Sequence, residues 1–85
     1  MTKTRSQIQL AIHAAIHDVV ATDYTLTPDT HLHDTLGMDS LDTTALALAL
    51  EPLLGITFSP EEESKFATMT IRQLTDHVET RYGNQ

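Results

Sequence analysis

One serine stands between two aspartates in the run Leu36-Gly37-Met38-Asp39-Ser40-Leu41-Asp42-Thr43, where a glycine-containing stretch gives way to a long apolar one. A hydroxyl in that setting can serve as a nucleophile, as a helix cap or as a point of attachment. Nucleophilic catalysis needs a base within hydrogen-bond reach of the serine and an acid that orients the base. His31 and His33 are near in sequence and are the candidate bases. The strained G-x-S-x-G elbow that exposes such a nucleophile is absent, and 85 residues of helical character leave little room for a substrate pocket. Hydrolysis is set aside. A capping serine and a serine modified by another enzyme remain, and the three residues on either side have to decide between them.

The other chemistry-bearing groups are sparser. His13 and His17 stand four apart, a spacing that suits zinc on one helix face, but no third ligand lies near them in sequence. His31 and His33 flank Leu32 and read as solvated loop histidines. Glu61-Glu62-Glu63 reads as a helix start whose charges complement the dipole, with contact to a partner as the second reading. There is no cysteine, so neither disulfides nor thiolate metal sites staple the fold. The formal charge of -7 and pI near 4.9 exclude the basic face that nucleic acid requires. An acidic balance serves solubility, or steers the chain toward basic partner surfaces; composition does not choose.

These residues must be positioned by helices. The length fits one small domain over residues 1–85, with a core built mainly from Leu, Ile, Val and Ala because the chain has two Phe, two Tyr and no Trp. Ile8, Ile12, Ala15 and Val19 recur at helical spacing and predict a first helix from about Thr4 to Ala21. Residues 22 to 39 carry turn chemistry, with Thr27-Pro28-Asp29-Thr30 and Gly37, and Leu26, Leu32 and Leu36 are expected to anchor this loop to the core. A second helix opens at Asp39 or Ser40, has Asp42 in its first turn, and ends at Gly55 after Leu54. Pro52 is expected to remove a hydrogen bond and to kink or shorten its last turn. Ser59-Pro60-Glu61-Glu62 starts a short helix to about Phe66. A last helix runs from Thr70 to about Tyr82-Gly83, with Ile71, Leu74 and Val78 inward. Ile56-Thr57-Phe58 is the one stretch that resembles a strand. The expected fold is all-α: a small bundle of three longer helices and one short one, with a long loop between the first and second. Ile8–Val20 is broken by His13, His17 and Asp18, so it does not read as a signal peptide, and no run approaches the ~18 apolar residues of a membrane span. A cytoplasmic monomer is the expectation.

With the helix order in place, Leu36-Gly37-Met38-Asp39-Ser40-Leu41-Asp42 closely resembles the L-G-x-D-S-L signature of acyl carrier proteins, and Thr70 to Val78 resembles the T-V-x-D-L-x-x-Y-I closing helix of that family. The resemblance spans nearly the whole chain. It implies that Ser40 is esterified to 4′-phosphopantetheine, transferred from coenzyme A by a phosphopantetheinyl transferase, with Asp39, Leu41 and Gly37 as the flanking motif. It implies a protein that is not itself an enzyme but carries acyl chains as thioesters for an acyltransferase, a ketosynthase and other biosynthetic enzymes. The thiol belongs to the cofactor, so a chain without cysteine fits. A peptidyl carrier domain and an unmodified helical adaptor are the alternatives.

The departures from the family pattern bear on the pathway. Carriers of fatty acid synthesis usually bear several glutamates on the helix after the serine; from Thr44 to Leu54 this chain has only Glu51. Thr35 stands where an Asp is usual, with Asp34 displaced by one, and Leu32 stands where an aromatic is common. These changes favour a specialised polyketide, polyene or unusual lipid pathway over general fatty acid synthesis. Asp42, Leu48 and Glu51, with Leu41, are the expected partner contacts. The alanines at 45, 47 and 49 are expected to leave room for a chain to slide between helices.

Overall fold

A computed structural model describes residues 3–21 and 25–83; the start of the expected loop, 22–24, lies outside the described residues. Among the described residues four helices follow one another: α1 (Arg5–Val19), α2 (Ser40–Leu54), α3 (Pro60–Phe66) and α4 (Ile71–Gly83). Among the described residues there is no strand; one isolated antiparallel bridge joins His31 to Thr70. Three longer helices, one short one and a long first connection are the architecture expected above. The expected ends of α1 shrink by a residue or two, within the usual fraying.

Each helix begins on a reciprocal cap, which satisfies backbone N–H groups that the helix itself cannot. Thr4 pairs with Gln7, Asp39 with Asp42 and Ser59 with Glu62, each side chain accepting from the other's backbone N–H. Thr70 and Gln73 do the same, at 2.9 and 3.2 Å, at the start of α4. The caps of α2 and α3 are the ones the residue types announced.

The core is one cluster drawn from every element. Helix α1 contributes Ile8, Ile12, Ala15 and Ile16, and α2 contributes Leu46, Ala47, Leu50 and Leu54. Phe66 enters from α3, and Ile71, Leu74, Val78 and Tyr82 from α4. Tyr82 donates its hydroxyl to the Leu54 carbonyl, and burial raises its pKa. Leu32 is fully buried, with Leu26 and Leu36 packed partly against the cluster, so the loop is anchored as the leucine spacing predicted.

One expectation is corrected. Pro52 does not shorten α2, which continues to Leu54 and closes through the Gly55 N–H to the Glu51 carbonyl at 2.8 Å. Gly55 takes φ +70°, the left-handed conformation in which glycine is the usual helix terminator. Pro52 is exposed, so the Leu48 carbonyl that loses its helical donor can be served by water. The strand-like Ile56-Thr57-Phe58 alternates inward and outward, with Ile56 and Phe58 buried, yet it pairs with no other strand. Its alternation reflects a link stretched over the core.

The candidate attachment site

The segment before Ser40 is held from both sides. Met38, fully buried, donates its N–H to the Leu32 carbonyl at 3.0 Å. Gly37 takes φ +70° with nothing within 4 Å of where a Cβ would stand, so what the position requires is a left-handed conformation rather than space. The His33 ring Nδ1 lies 3.1 Å from the Met38 carbonyl, and the His31 ring Nδ1 accepts the Asp34 N–H at 3.0 Å. Both histidines therefore brace the loop, a role not evident from their polarity. Together with Asp34, Ala67 and Thr68 they line an open groove of about 390 Å3 beside the loop. The far side of the loop is pinned to α4 through Leu32 N–H to Met69 O, Ile71 N–H to Thr30 O and Arg72 N–H to Pro28 O, each 2.9–3.0 Å.

Asp39, not Ser40, is the cap. Its carboxylate accepts the Asp42 N–H at 3.0 Å while Asp42 accepts the Asp39 N–H at 3.2 Å. Ser40 is thereby displaced to the first helical position, exposed, and among the described residues nothing bonds its hydroxyl. Thr43 beneath it is buried and donates to the Ser40 carbonyl at 3.1 Å. The backbone N–H groups of Ser40 and Leu41 have no helical acceptor, as at any helix start, so they and the helix dipole suit an anion linked to the Ser40 oxygen. Among the described residues no base is bonded to that hydroxyl.

The local charge is negative. Arg5 pairs with Asp76 and Glu79, Arg72 with Asp29 and Arg81 with Glu62. Among the described residues Asp39, Asp42, Glu61 and Glu63 have no cationic partner. The exposed face of α2 then turns neutral: Leu41 and Leu48 are 78% and 61% exposed, with Thr44, Ala45 and Pro52 along the same side. Glu51 is half-buried and accepts the Phe58 N–H at 3.2 Å, so it also ties the end of α2 to the following link. Of the three alanines, Ala47 is packed in the core, Ala49 is partly covered and Ala45 faces solvent. His13 is half-buried, with its pKa lowered by burial and by His17; among the described residues no group of side chains could hold a metal ion.

Residues that the local sequence did not point to complete the site. A cleft of about 170 Å3 opens beside the serine, bounded by Ser40, Thr43 and Thr44 on α2 and by Pro60, Glu63 and Ser64 on α3. Glu62, read earlier as a dipole-complementing acid or a partner contact, accepts from Arg81 at 2.6 and 2.7 Å and lies 2.6 Å from His77 Nε2. Burial alone would raise its pKa, but the Ser59 N–H, His77 and Arg81 hold it down to about 2.

The geometry is a helical bundle with an exposed serine at the first turn of α2, its hydroxyl unbonded among the described residues. The family model for the phosphopantetheine attachment site matches residues 11–78, most of the chain, including the loop, Ser40 and all of α2 and α3. The chain belongs to this family of phosphopantetheine-binding carrier domains, whose prosthetic group is covalently bound 4′-phosphopantetheine. Helices long and apolar enough to cross a membrane are absent among the described residues.

Proposed function

We propose that Ser40 bears the phosphopantetheine arm and that the chain, one carrier domain over residues 1–85, transports acyl intermediates for a specialised polyketide, polyene or lipid pathway. The observation that carries this reading is the Ser40 hydroxyl, exposed and, among the described residues, unbonded at the first position of α2 within the matched region. In the modifying step a transferase joins the Ser40 oxygen to the phosphorus of the arm, the bond from that phosphorus to the nucleotide part of coenzyme A breaks, and the serine proton leaves. The terminal thiol of the arm supplies the thioester chemistry. The chain's own residues hold the attachment point: Asp39 and Asp42 fix the helix start, Met38 and Leu32 fix the loop, and Gly37 gives the turn. The chain itself catalyses nothing. Incubation of the purified protein with coenzyme A, magnesium and a broad-specificity transferase should add one phosphopantetheinyl group by intact mass. No gain with an active transferase favours the unmodified adaptor.

The neutral face of α2 supports a specialised partner set. Asp39 and Asp42 govern encounter with a basic rim, while Leu41 and Leu48 supply the apolar contact. Leu48→Ala should weaken a cognate synthase or transferase by ~1–2 kcal/mol, the scale of a moderately buried interface side chain. Glu51→Ala should cost less binding, about 0–1 kcal/mol, because Glu51 is half-buried and already engaged by the Phe58 N–H. Calorimetry across a salt series checks this; steep salt dependence with Glu51→Ala exceeding Leu48→Ala would show that charge, not the leucine face, dominates.

A further inference from the structure

Helix α3 has seven residues, well below the ~12–15 at which an isolated helix becomes even marginally stable, so tertiary ties set its position. Two are prominent. Phe66 is buried against Phe58 and His77, with ring centroids 5.2 and 6.1 Å away. Glu62, one turn earlier on the same inward side, is the second. Its Oε1 accepts the Ser59 N–H at 2.9 Å, and both oxygens accept from Arg81, with His77 Nε2 beside Oε2. Arg81 also donates to the Thr57 carbonyl at 2.8 Å and lies 5.7 Å over the Phe58 ring. One carboxylate thus fastens α3 and the link before it to α4.

The other edge of α3 is the wall of the cleft beside Ser40, through Pro60, Glu63 and Ser64. A short rigid helix cannot swing that wall away from α2 while Glu62 stays bonded to α4, so the width of the cleft and the integrity of the Glu62 cluster are coupled. At about 170 Å3 the cleft is smaller than the ~300–1,000 Å3 of sites that enclose a drug-sized molecule. It can cradle part of an arm but not a medium or long acyl chain as well. The cleft's α2 wall is Thr43 and Thr44, not the alanines.

Resting on the reading that Ser40 carries the arm, we propose that the Glu62–Arg81–His77 cluster is a latch on α3 that keeps the cleft beside Ser40 narrow and so makes this carrier hold medium and long acyl chains outside its core. Glu62 is a positioning residue: it selects where cargo rides without touching it.

Holo protein, with the arm verified by intact mass, is loaded with a short, a medium or a long straight-chain acyl group. Thioester cleavage by hydroxylamine is then followed for wild type, Glu62→Gln, Arg81→Lys and His77→Gln. Gln at 62 can still accept the Ser59 N–H, and far-ultraviolet circular dichroism identifies any variant that does not fold. In wild type the cleavage rate should not depend on chain length. In the folded latch variants the medium chain should be cleaved about tenfold more slowly, the protection expected when a chain is buried about nine-tenths of the time. Arg81→Lys, which keeps one charged contact, should fall between. If Glu62→Gln does not fold, His77→Gln and Arg81→Lys decide by the same rates. Chain-length-dependent protection in wild type, or equal rates in wild type and every folded variant, overturns the latch. Failure of the arm to attach at the first step overturns the Ser40 reading instead.

Discussion

Ser40→Ala should abolish phosphopantetheinylation completely while leaving the fold untouched. The expectation is all-or-none because the transferred group needs the serine oxygen itself. The fold is spared because Ser40 is exposed, its hydroxyl is unbonded among the described residues, and the capping work is done by its neighbour. A surface change without a cap, core contact or buried hydrogen bond stays within ~0.5 kcal/mol. Asp39→Ala gives the opposite pattern. It removes the acceptor for the Asp42 N–H and should cost ~0.5–2 kcal/mol of stability. Because Ser40 keeps its hydroxyl, modification continues, although more slowly where the first turn frays. Intact mass and urea unfolding on the two variants separate these roles. Modification of Ser40→Ala, or a stability loss there equal to that of Asp39→Ala, contradicts the assignment.

Phe66→Ala should have the largest effect on stability. Phe66 is fully buried, is the buried residue of α3, and packs edge-on to Phe58. Truncating such a side chain removes its transfer energy and leaves a cavity, together ~3–5 kcal/mol. Against the ~5–15 kcal/mol that holds a typical domain together, that is a large fraction. The loss should appear as a lower urea midpoint at little-changed slope. Hydrogen exchange should show α3 opening first, since Phe66 is the buried residue of this short helix. A loss below ~1 kcal/mol would mean that α3 contributes little to the core.

What the sequence revealed, and what it hid, follows from the range of each interaction. The starts of α2 and α3 were legible because Asp39 and Ser59 each act on a backbone three residues away, whereas α1 was placed by the apolar spacing from Ile8 to Val19. The choice between Asp39 and Ser40 as cap was open, because both residue types cap well and only the geometry shows which side chain turns back. The exposure of Leu41 and Leu48 was legible, since a helix apolar on several faces cannot bury them all. Glu62 was not. Its partners lie 15 and 19 residues away on α4, and a run of three glutamates at a helix start offers no sign of which one turns inward. The α3 wall of the cleft was hidden for the same reason: Pro60, Glu63 and Ser64 approach Ser40 only through packing. His31 and His33 were read as solvated from their place in a polar loop, and the backbone groups their ring nitrogens serve come within reach only once the loop is folded. Met38, apolar between Gly37 and Asp39, was the available hint that the loop dives into the core just before the serine.

The measurement that bears most directly on the carrier role is peptide mapping of the protein isolated from cells of its native host. Cleavage after Arg5 and Lys65 releases residues 6–65, which contain Ser40 and no internal Lys or Arg. That peptide should carry a phosphopantetheinyl group on Ser40, and a fraction should carry an additional acyl mass that hydroxylamine removes while the arm stays in place. An unmodified 6–65 peptide in cells with an active transferase, or an arm located on any residue other than Ser40, would contradict it.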